Sequence, residues 1–190
     1  TRLYQIEAQR TVTKQKFTNE DDFLKSLDMI SVLASFTKFN IPRVAQLSQR
    51  SNQFNLRTVR YTESDIENLA KSNDYVTFAF TLEDKFGDNG LIAVVVLKKN
   101  SKTDLFIDSW FMSCRVLKRG MENFMLNTLT SYAKTNGFKR ILGEYIPTPK
   151  NEIVKDHYQN LGFVQENDLW SLSLKEYKER TNYITLKLQE

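Results

Sequence analysis

The sequence predicts an α+β (mixed α/β) fold: a central, mostly antiparallel sheet flanked by helices, with a helical extension at the N-terminus. Three strand candidates follow one another between residues 75 and 112. A long amphipathic helix comes next, and it is followed by a strand, a helix and further strands. Because the strands cluster instead of alternating with helices, the order argues against a doubly wound parallel sheet.

Composition sets the broad class of the protein. The 190 residues are 41% hydrophobic and 26% charged, which suits one globular domain with a real core. The net charge of +4 is spread along the chain, so nucleic acid is not a predicted partner. No apolar run approaches the roughly 18 residues that a membrane span needs, so no membrane contact is predicted. The single Cys114 allows no intramolecular disulfide, and a cytoplasmic location is expected.

The first 40 residues are expected to be a helical extension or linker from an upstream domain, and residues 41–190 the main domain. Phe23, Leu27 and Ile30 have helical spacing and follow a run of acids, which predicts a helix over residues 19–33. Pro42 is placed to begin a second helix, with an apolar face that continues to about residue 54. The chain begins without methionine, which is expected of a fragment.

The main domain is predicted element by element from local signals. Residues 57–61 are β-prone, and Thr62 begins a capped helix. The Gly, Asp and Asn residues at 83–90 predict a tight antiparallel hairpin. Further strands are predicted at 105–112, 140–146, 169–174 and 183–188, and helices at 119–135 and 151–161.

The C-terminal half of the chain resembles the GNAT acyltransferase superfamily. Residues 151–163, NEIVKDHYQNLGF, are similar to the late helix of that family, with an asparagine seven residues before a tyrosine and Leu-Gly-Phe at the end. The resemblance implies that Tyr158 protonates the departing thiolate of a pantetheine, and that Asn151 lies along the pantetheine arm. A phenol is suited to that role because it stays protonated at neutral pH. The alternative is that the Tyr158 ring belongs to the core.

The loop MSCRVLKRGME, residues 112–122, lies where the family binds pyrophosphate. Glycines at a helix N-terminus let backbone N–H groups approach phosphate, and the helix dipole favours anions there. Leu117 and Glu122 depart from the family pattern, and Glu122 would compete with a diphosphate. The implied cofactor is therefore either coenzyme A or a carrier-bound phosphopantetheine. The candidate binding residues of the loop are Met112, Ser113, Arg115, Lys118, Arg119 and Gly120.

A narrower resemblance is to the FkbH-like family. It is carried by residues 43–62 (RVAQLSQRSNQFNLRTVRYT), 85–90 (KFGDNG), 112–117 (MSCRVL) and 143–148 (GEYIPT). Such proteins join a HAD-type phosphatase domain to a GNAT-like domain and load a glyceryl group onto an acyl carrier protein. The resemblance implies an upstream phosphatase domain outside this chain and a carrier protein as partner.

Other candidate residues come from their chemistry and position. Cys114, beside Arg115 and near a helix N-terminus, is a candidate nucleophile, or else a small buried residue. Glu144 is a candidate general base or else an outward-facing strand residue, and Asp108 presents the same two alternatives with less support. Gln53 and Asn55 could bind substrate through their amides, or else belong to a capping network that fixes the following strand.

The only histidine is expected to be a solvated helix residue, and no metal site is predicted. Two functions remain open for the chain. One is acyl transfer that uses Tyr158, with the backbone N–H groups of Met112 and Ser113 as oxyanion donors. The other is non-catalytic recognition of a carrier protein. A conventional acetyl-CoA-dependent N-acetyltransferase is a further alternative.

Overall fold

The structure is a computed structural model that describes residues 1–189. Its α-helices are Arg2–Lys14 (α1), Glu20–Ser26 (α2), Ile41–Arg50 (α3), Glu63–Lys71 (α4), Met121–Thr135 (α5) and His157–Asn160 (α6). Its strands are Met29–Ala34 (β1), Tyr75–Asp84 (β2), Gly87–Lys99 (β3), Asp104–Met112 (β4), Arg140–Gly143 (β5), Val164–Glu166 (β6), Leu169–Ser173 (β7) and Ile184–Leu188 (β8).

The eight strands form one sheet in the order β6-β7-β5-β4-β3-β2-β1-β8. Five of the seven neighbouring pairs are antiparallel, and the β4–β5 and β1–β8 pairs are parallel. The predicted α+β class, with a mostly antiparallel sheet flanked by helices, is confirmed.

Helices cover both faces of the sheet because successive strand residues point to opposite sides. On one face Phe80 and Val95 pack toward α5, where the Phe80 and Phe124 ring centroids are 6.1 Å apart. On the other face Val94 and Phe111 pack with the apolar side of α3. Each face therefore has its own layer of core, and the middle strands are buried on both sides.

The predicted helix over residues 19–33 is wrong in its second half. Helix α2 ends at Ser26, Asp28 takes a positive φ of 51°, and β1 begins at Met29. The apolar spacing that suggested a helix also fits a strand, and pairing of β1 with β2 and β8 decides the outcome. β1 therefore makes residues 29–34 part of the sheet. That residues 1–40 link this chain to an upstream domain stays a prediction.

Other boundaries also differ from the predictions. Helix α3 ends at Arg50, and residues 57–61 form no strand. The predicted helix over 151–161 is reduced to a 3-10 turn at Glu152–Val154 and the short α6. Strand β6 was not predicted. These segments are short, and long-range packing outweighs their local propensity.

Helix α1 is held to the sheet by a buried ionic cluster. The Arg10 Nε donates to Asp84 Oδ2 at 2.7 Å, and the Arg119 Nη1 donates to the same oxygen at 3.2 Å. Glu7 also pairs with both arginines. Because the Asp84 side chain is almost fully buried, two guanidinium partners offset its desolvation.

No helix within residues 1–189 has the length and apolar character needed to cross a membrane.

Helix α4 begins with the predicted cap. The Asp65 N–H donates to Thr62 Oγ1 at 3.1 Å, and the Thr62 N–H donates to Asp65 Oδ2 at 2.9 Å. We expect Thr62→Ala to lower the free energy of unfolding by about 1 kcal/mol, because it leaves a helix N–H without its acceptor. Urea denaturation checks this result. Thr62→Ser, which keeps the hydroxyl, should lose much less, and equal losses would contradict the capping role.

Candidate active site

The candidate site lies where β4 and β5 separate. β5 pairs with β4 only through Asp104–Arg140, Leu105–Ile141 and Phe106–Leu142. Beyond Phe106, β4 runs on to Met112, whereas β5 ends at Gly143. The two strands therefore leave a gap between them, here called the β4–β5 gap. In the GNAT resemblance, such a gap admits the acyl arm.

The chain fills this gap with its own residues 54–56, here called the gap segment. The Met112 N–H donates to the Phe54 carbonyl oxygen at 3.0 Å, and the Leu56 N–H donates to the Trp110 carbonyl oxygen at 3.2 Å. On the other side, the Ile146 N–H donates to the Leu56 carbonyl oxygen at 2.9 Å. The gap segment is therefore hydrogen-bonded on both sides, like a short additional strand.

The side chain of Asn151 holds the gap segment in place through hydrogen bonds. Its Nδ2 donates to the carbonyl oxygens of Asn55 at 3.0 Å and Ile146 at 2.9 Å. Its Oδ1 accepts from the Thr148 N–H at 2.8 Å and the Tyr145 hydroxyl at 3.1 Å. The amide has 0% exposure and both of its ends are in use. The residue that the resemblance places along a pantetheine arm binds the chain itself.

Tyr158 lies in the core beside the same gap. Its ring packs on Gly143, where an added Cβ would lie 2.5 Å from the ring. Burial is the main cause that raises the pKa of Tyr158, so its hydroxyl stays neutral. That hydroxyl has no hydrogen-bond partner among the described residues. The alternative prediction of a core ring fits this placement, in which Tyr158 is fully buried.

His157 is buried, so the prediction of a solvated helix residue is wrong. In α6 the exposed residues are Gln159 and Asn160, whereas His157 and Tyr158 face the core. The His157 ring lies edge-on to Trp110, with centroids 4.3 Å apart, and to Phe54, with centroids 5.3 Å apart. Burial lowers the pKa of His157 to about 3. The neutral imidazole therefore belongs to an aromatic cluster that supports the gap segment.

The loop after β4 uses most of its candidate groups internally. The Ser113 N–H donates to the Ile92 carbonyl oxygen at 2.8 Å, and the Met112 N–H is bound to the gap segment. Both predicted oxyanion donors are thus engaged. Arg119 is buried, and its guanidinium is paired with Asp84. Arg115 and Lys118 are exposed.

The first turn of α5 carries the residues that decide phosphate binding. Gly120 precedes the helix with a φ of 87°, a left-handed conformation that favours glycine. Burial raises the pKa of Glu122. Its carboxylate, when ionised, would repel a diphosphate at this helix N-terminus.

A cleft of about 560 Å³ remains between α5 and α6, here called the α5–α6 cleft. Lys118, Glu122 and Arg180 line it, and Phe54 and His157 are also part of its wall. Sequence reasoning missed Arg180, which lies in a tail with no motif. Its Nε donates to Asn123 Oδ1 at 2.7 Å and its Nη2 to the Asn160 carbonyl oxygen at 3.0 Å, so it ties α5 to α6.

Glu144 and Asp108 are brought together by Arg57, which was not a candidate. The Arg57 Nε donates to Glu144 Oε1 at 3.1 Å, and its Nη1 lies 3.3 Å from Asp108 Oδ1. The Tyr61 hydroxyl donates to Asp108 Oδ2 at 3.0 Å. A general base must be free to accept a proton, whereas these carboxylates are both paired with a guanidinium.

Cys114 is exposed, so it is not the small buried residue of the alternative reading. Its Sγ lies 3.2 Å from Gln53 Oε1, to which it donates. Gln53 is likewise exposed, whereas Asn55 is fully buried and caps its own turn. Within residues 1–189, no three His, Cys, Asp or Glu side chains are grouped to hold a metal ion.

Solved structures identify the architecture. The Escherichia coli ribosomal-protein-S18-alanine N-acetyltransferase superposes with a TM-score of 0.58 at 13% identity, over 80% of this chain and 99% of that one. The Vibrio cholerae spermidine N-acetyltransferase in complex with CoA and spermine superposes with a TM-score of 0.57 at 14% identity, over 77% of this chain and 96% of that one. The GNAT domain of S. lividans PAT superposes with a TM-score of 0.57 at 14% identity, over 74% of this chain and 89% of that one. The chain has the GNAT acetyltransferase fold.

Similarity to these GNAT structures extends to the fold alone at such low identity. No family model matches the chain, and no curated protein matches it in sequence. The narrower FkbH-like resemblance therefore stays a prediction, as do its phosphatase domain and carrier protein.

Removal of the Asn151 amide should destabilise the protein strongly. Asn151→Ala leaves the buried carbonyl oxygen of Asn55 and the carbonyl oxygen of Ile146 without this donor, and we expect a loss of about 3 kcal/mol in the free energy of unfolding. Chemical denaturation gives the value. Asn160→Ala is a matched control, because that side chain is exposed and the hydrogen bonds of the residue are made by its backbone. A small loss for Asn151→Ala, equal to that of the control, would contradict the anchoring role.

His157 should make the stability depend on pH. Its folded pKa of about 3 lies below the ordinary value near 6.5, so only the unfolded chain takes up a proton between those values. Stability should fall by about 2 kcal/mol from pH 7 to pH 5. Because the chain has one histidine, His157→Phe should remove most of this dependence. Unfolding curves at several pH values test this, and an unchanged slope in the variant would count against it.

Proposed function

We propose that this chain is a GNAT-fold recognition module that binds a carrier-borne phosphopantetheine and does not itself transfer the acyl group. The catalytic step would belong to an upstream domain, as the FkbH-like resemblance implies. This proposal chooses the non-catalytic alternative over acyl transfer by Tyr158.

One observation carries the proposal: the gap segment takes the hydrogen bonds of the β4 edge. An extended arm that enters the gap would need the Met112 N–H and the Trp110 carbonyl oxygen, and both are already paired with residues 54–56. Each group would be left unsatisfied, or the segment would have to leave the core. A thioester would therefore be held outside the gap.

The α5–α6 cleft supports the recognition part of the proposal. Lys118 and Arg180 give it two positive charges against the one carboxylate of Glu122, and this balance suits the single negative charge of the phosphodiester in a carrier-borne phosphopantetheine. Coenzyme A carries more phosphate, including a diphosphate that Glu122 would repel. The charge balance thus favours a carrier-borne arm over coenzyme A.

A second candidate function is that of an acetyl-CoA-dependent N-acetyltransferase. It is favoured by the fold, since two of the structures named above are N-acetyltransferases and one of them is a complex with CoA. In this reading the gap segment would move aside when acetyl-CoA binds.

Binding and turnover measurements separate the two functions. We expect a holo acyl carrier protein to bind more tightly than the same carrier in its apo form, and we expect no acetyl transfer from acetyl-CoA to an amine. Isothermal calorimetry and a thiol-release assay supply these data. Acetyl transfer at an enzymatic rate would refute the non-catalytic proposal.

A pair of lysine variants tests the location. Lys118→Gln should weaken holo-carrier binding about fivefold or more, because a charge-assisted contact to phosphate is lost. Lys71→Gln removes an equally exposed charge on α4, outside the residues that line the cleft, and should bind like the parent. If the two variants behave alike, the α5–α6 cleft is not the binding site.

A further inference from the structure

Three arginines meet on the α3 side of the protein, away from the α5–α6 cleft. Arg43 and Arg50 lie seven residues apart on α3, so they share one helix face. Arg115 comes from the 3-10 turn that follows β4. All three line one cleft of about 260 Å³, here called the arginine cleft.

The arginine cleft contains no carboxylate among its lining residues. The other lining residues are uncharged: Leu47, Ser51, Met112, Ser113 and Cys114. Nor does Arg43, Arg50 or Arg115 form an ion pair with any described residue. Elsewhere in residues 1–189, Arg10, Arg57, Arg119 and Arg140 each pair with an acid. The cleft therefore holds three positive charges that no carboxylate in its lining neutralises.

The placement of Arg43 keeps the cleft ready for a ligand. Its Nε donates to the Leu91 carbonyl oxygen at 3.3 Å and its Nη1 to Gln46 Oε1 at 2.8 Å, so the half-buried guanidinium is held in position. Burial, and then the charges of Arg115 and Arg50, lower the pKa of Arg43. Mutual repulsion of this kind is relieved when an anion binds between the charges.

The size and charge of the cleft define the ligand class. We infer that the arginine cleft binds a phosphomonoester dianion, held by Arg43, Arg50 and Arg115. A guanidinium presents two parallel N–H groups that match two phosphate oxygens, so arginine binds phosphate more specifically than lysine does. This site is separate from the pantetheine-binding function proposed above, since its arginines lie on α3 and the loop rather than between α5 and α6.

Inorganic phosphate is the probe for the test. We expect the backbone amide NMR signals of residues 113–115 and the Arg43 Nε–H signal to shift and saturate on titration with phosphate at pH 7.5. Acetate, which has a single charge, should shift them at least about tenfold more weakly. Absence of saturable phosphate binding would overturn the inference, and it would do so whether or not a carrier protein binds.

Charge-removal variants assign the binding to these residues. Arg50→Gln and Arg115→Gln should each weaken phosphate binding about tenfold or more, since each removes a charge-assisted contact. Arg2→Gln is the matched control, because Arg2 is exposed on α1 and outside this cleft. Equal weakening in the control would show a general charge effect and would also overturn the inference. Both targeted arginines are exposed, and an unchanged melting temperature confirms that the variants fold.

The same variants distinguish a small anion from an acidic protein surface. If Arg50→Gln weakens the binding of a holo carrier protein but phosphate does not bind the parent chain, the arginine cleft is a protein-docking surface and the phosphomonoester inference is wrong. If phosphate binds and the variant loses it, the inference holds even when no carrier protein binds.

Discussion

The insertion of residues 54–56 between β4 and β5 is the interaction on which the rest of the site depends. Sheet strands that diverge leave backbone groups without partners, and a buried unpaired group is costly. In this protein the Met112 N–H and the Trp110 carbonyl oxygen are satisfied by the chain itself. Asn151 and His157 both act on this segment, because Asn151 donates to the Asn55 carbonyl oxygen and the His157 ring packs against Phe54.

A second constraint acts at the loop that follows β4. Asp84 draws Arg119 into the interior, and Arg10 of α1 joins the same carboxylate. Arg119, one of the cationic residues of the loop, therefore stabilises the interior and does not lie at the surface. What it keeps at its surface is Arg115 on one side and Lys118 on the other, which places positive charge in two separate clefts. Helix α1 is thus linked electrostatically to the loop that adjoins both clefts.

Local signals in the sequence predicted the parts of the fold that local chemistry controls. The Thr62–Asp65 cap and the hairpin between β2 and β3 are both present, since their determinants lie within a few residues of each other. β1 was missed because its apolar spacing fits a helix equally well. The gap segment could not be predicted, as its partners Trp110, Met112 and Ile146 lie more than 50 residues away in sequence.

The candidate site shows the same division. Tyr158 and Asn151 were recognised from a motif, but the motif does not reveal which groups they contact. Arg57 lies in the 43–62 block and Arg180 in no motif, and only tertiary structure shows that Arg57 pairs with Glu144 and Asp108 while Arg180 joins α5 to α6. Residue identity therefore selected candidate residues, whereas their availability to a ligand depends on long-range packing.

The energetics of the gap segment decide between a fixed insert and a movable gate. Removal of Phe54 and Leu56 from the core would cost about 2 kcal/mol for each side chain. The four backbone-linked hydrogen bonds of residues 54–56, which include the one from Asn151, contribute about 1 kcal/mol each. The total of about 8 kcal/mol equals the whole binding free energy of a micromolar ligand. An arm that displaced the segment would recover some hydrogen bonds but would have to supply most of this energy from new contacts. A ligand of ordinary affinity would therefore have to bind with the gap segment in place, outside the sheet.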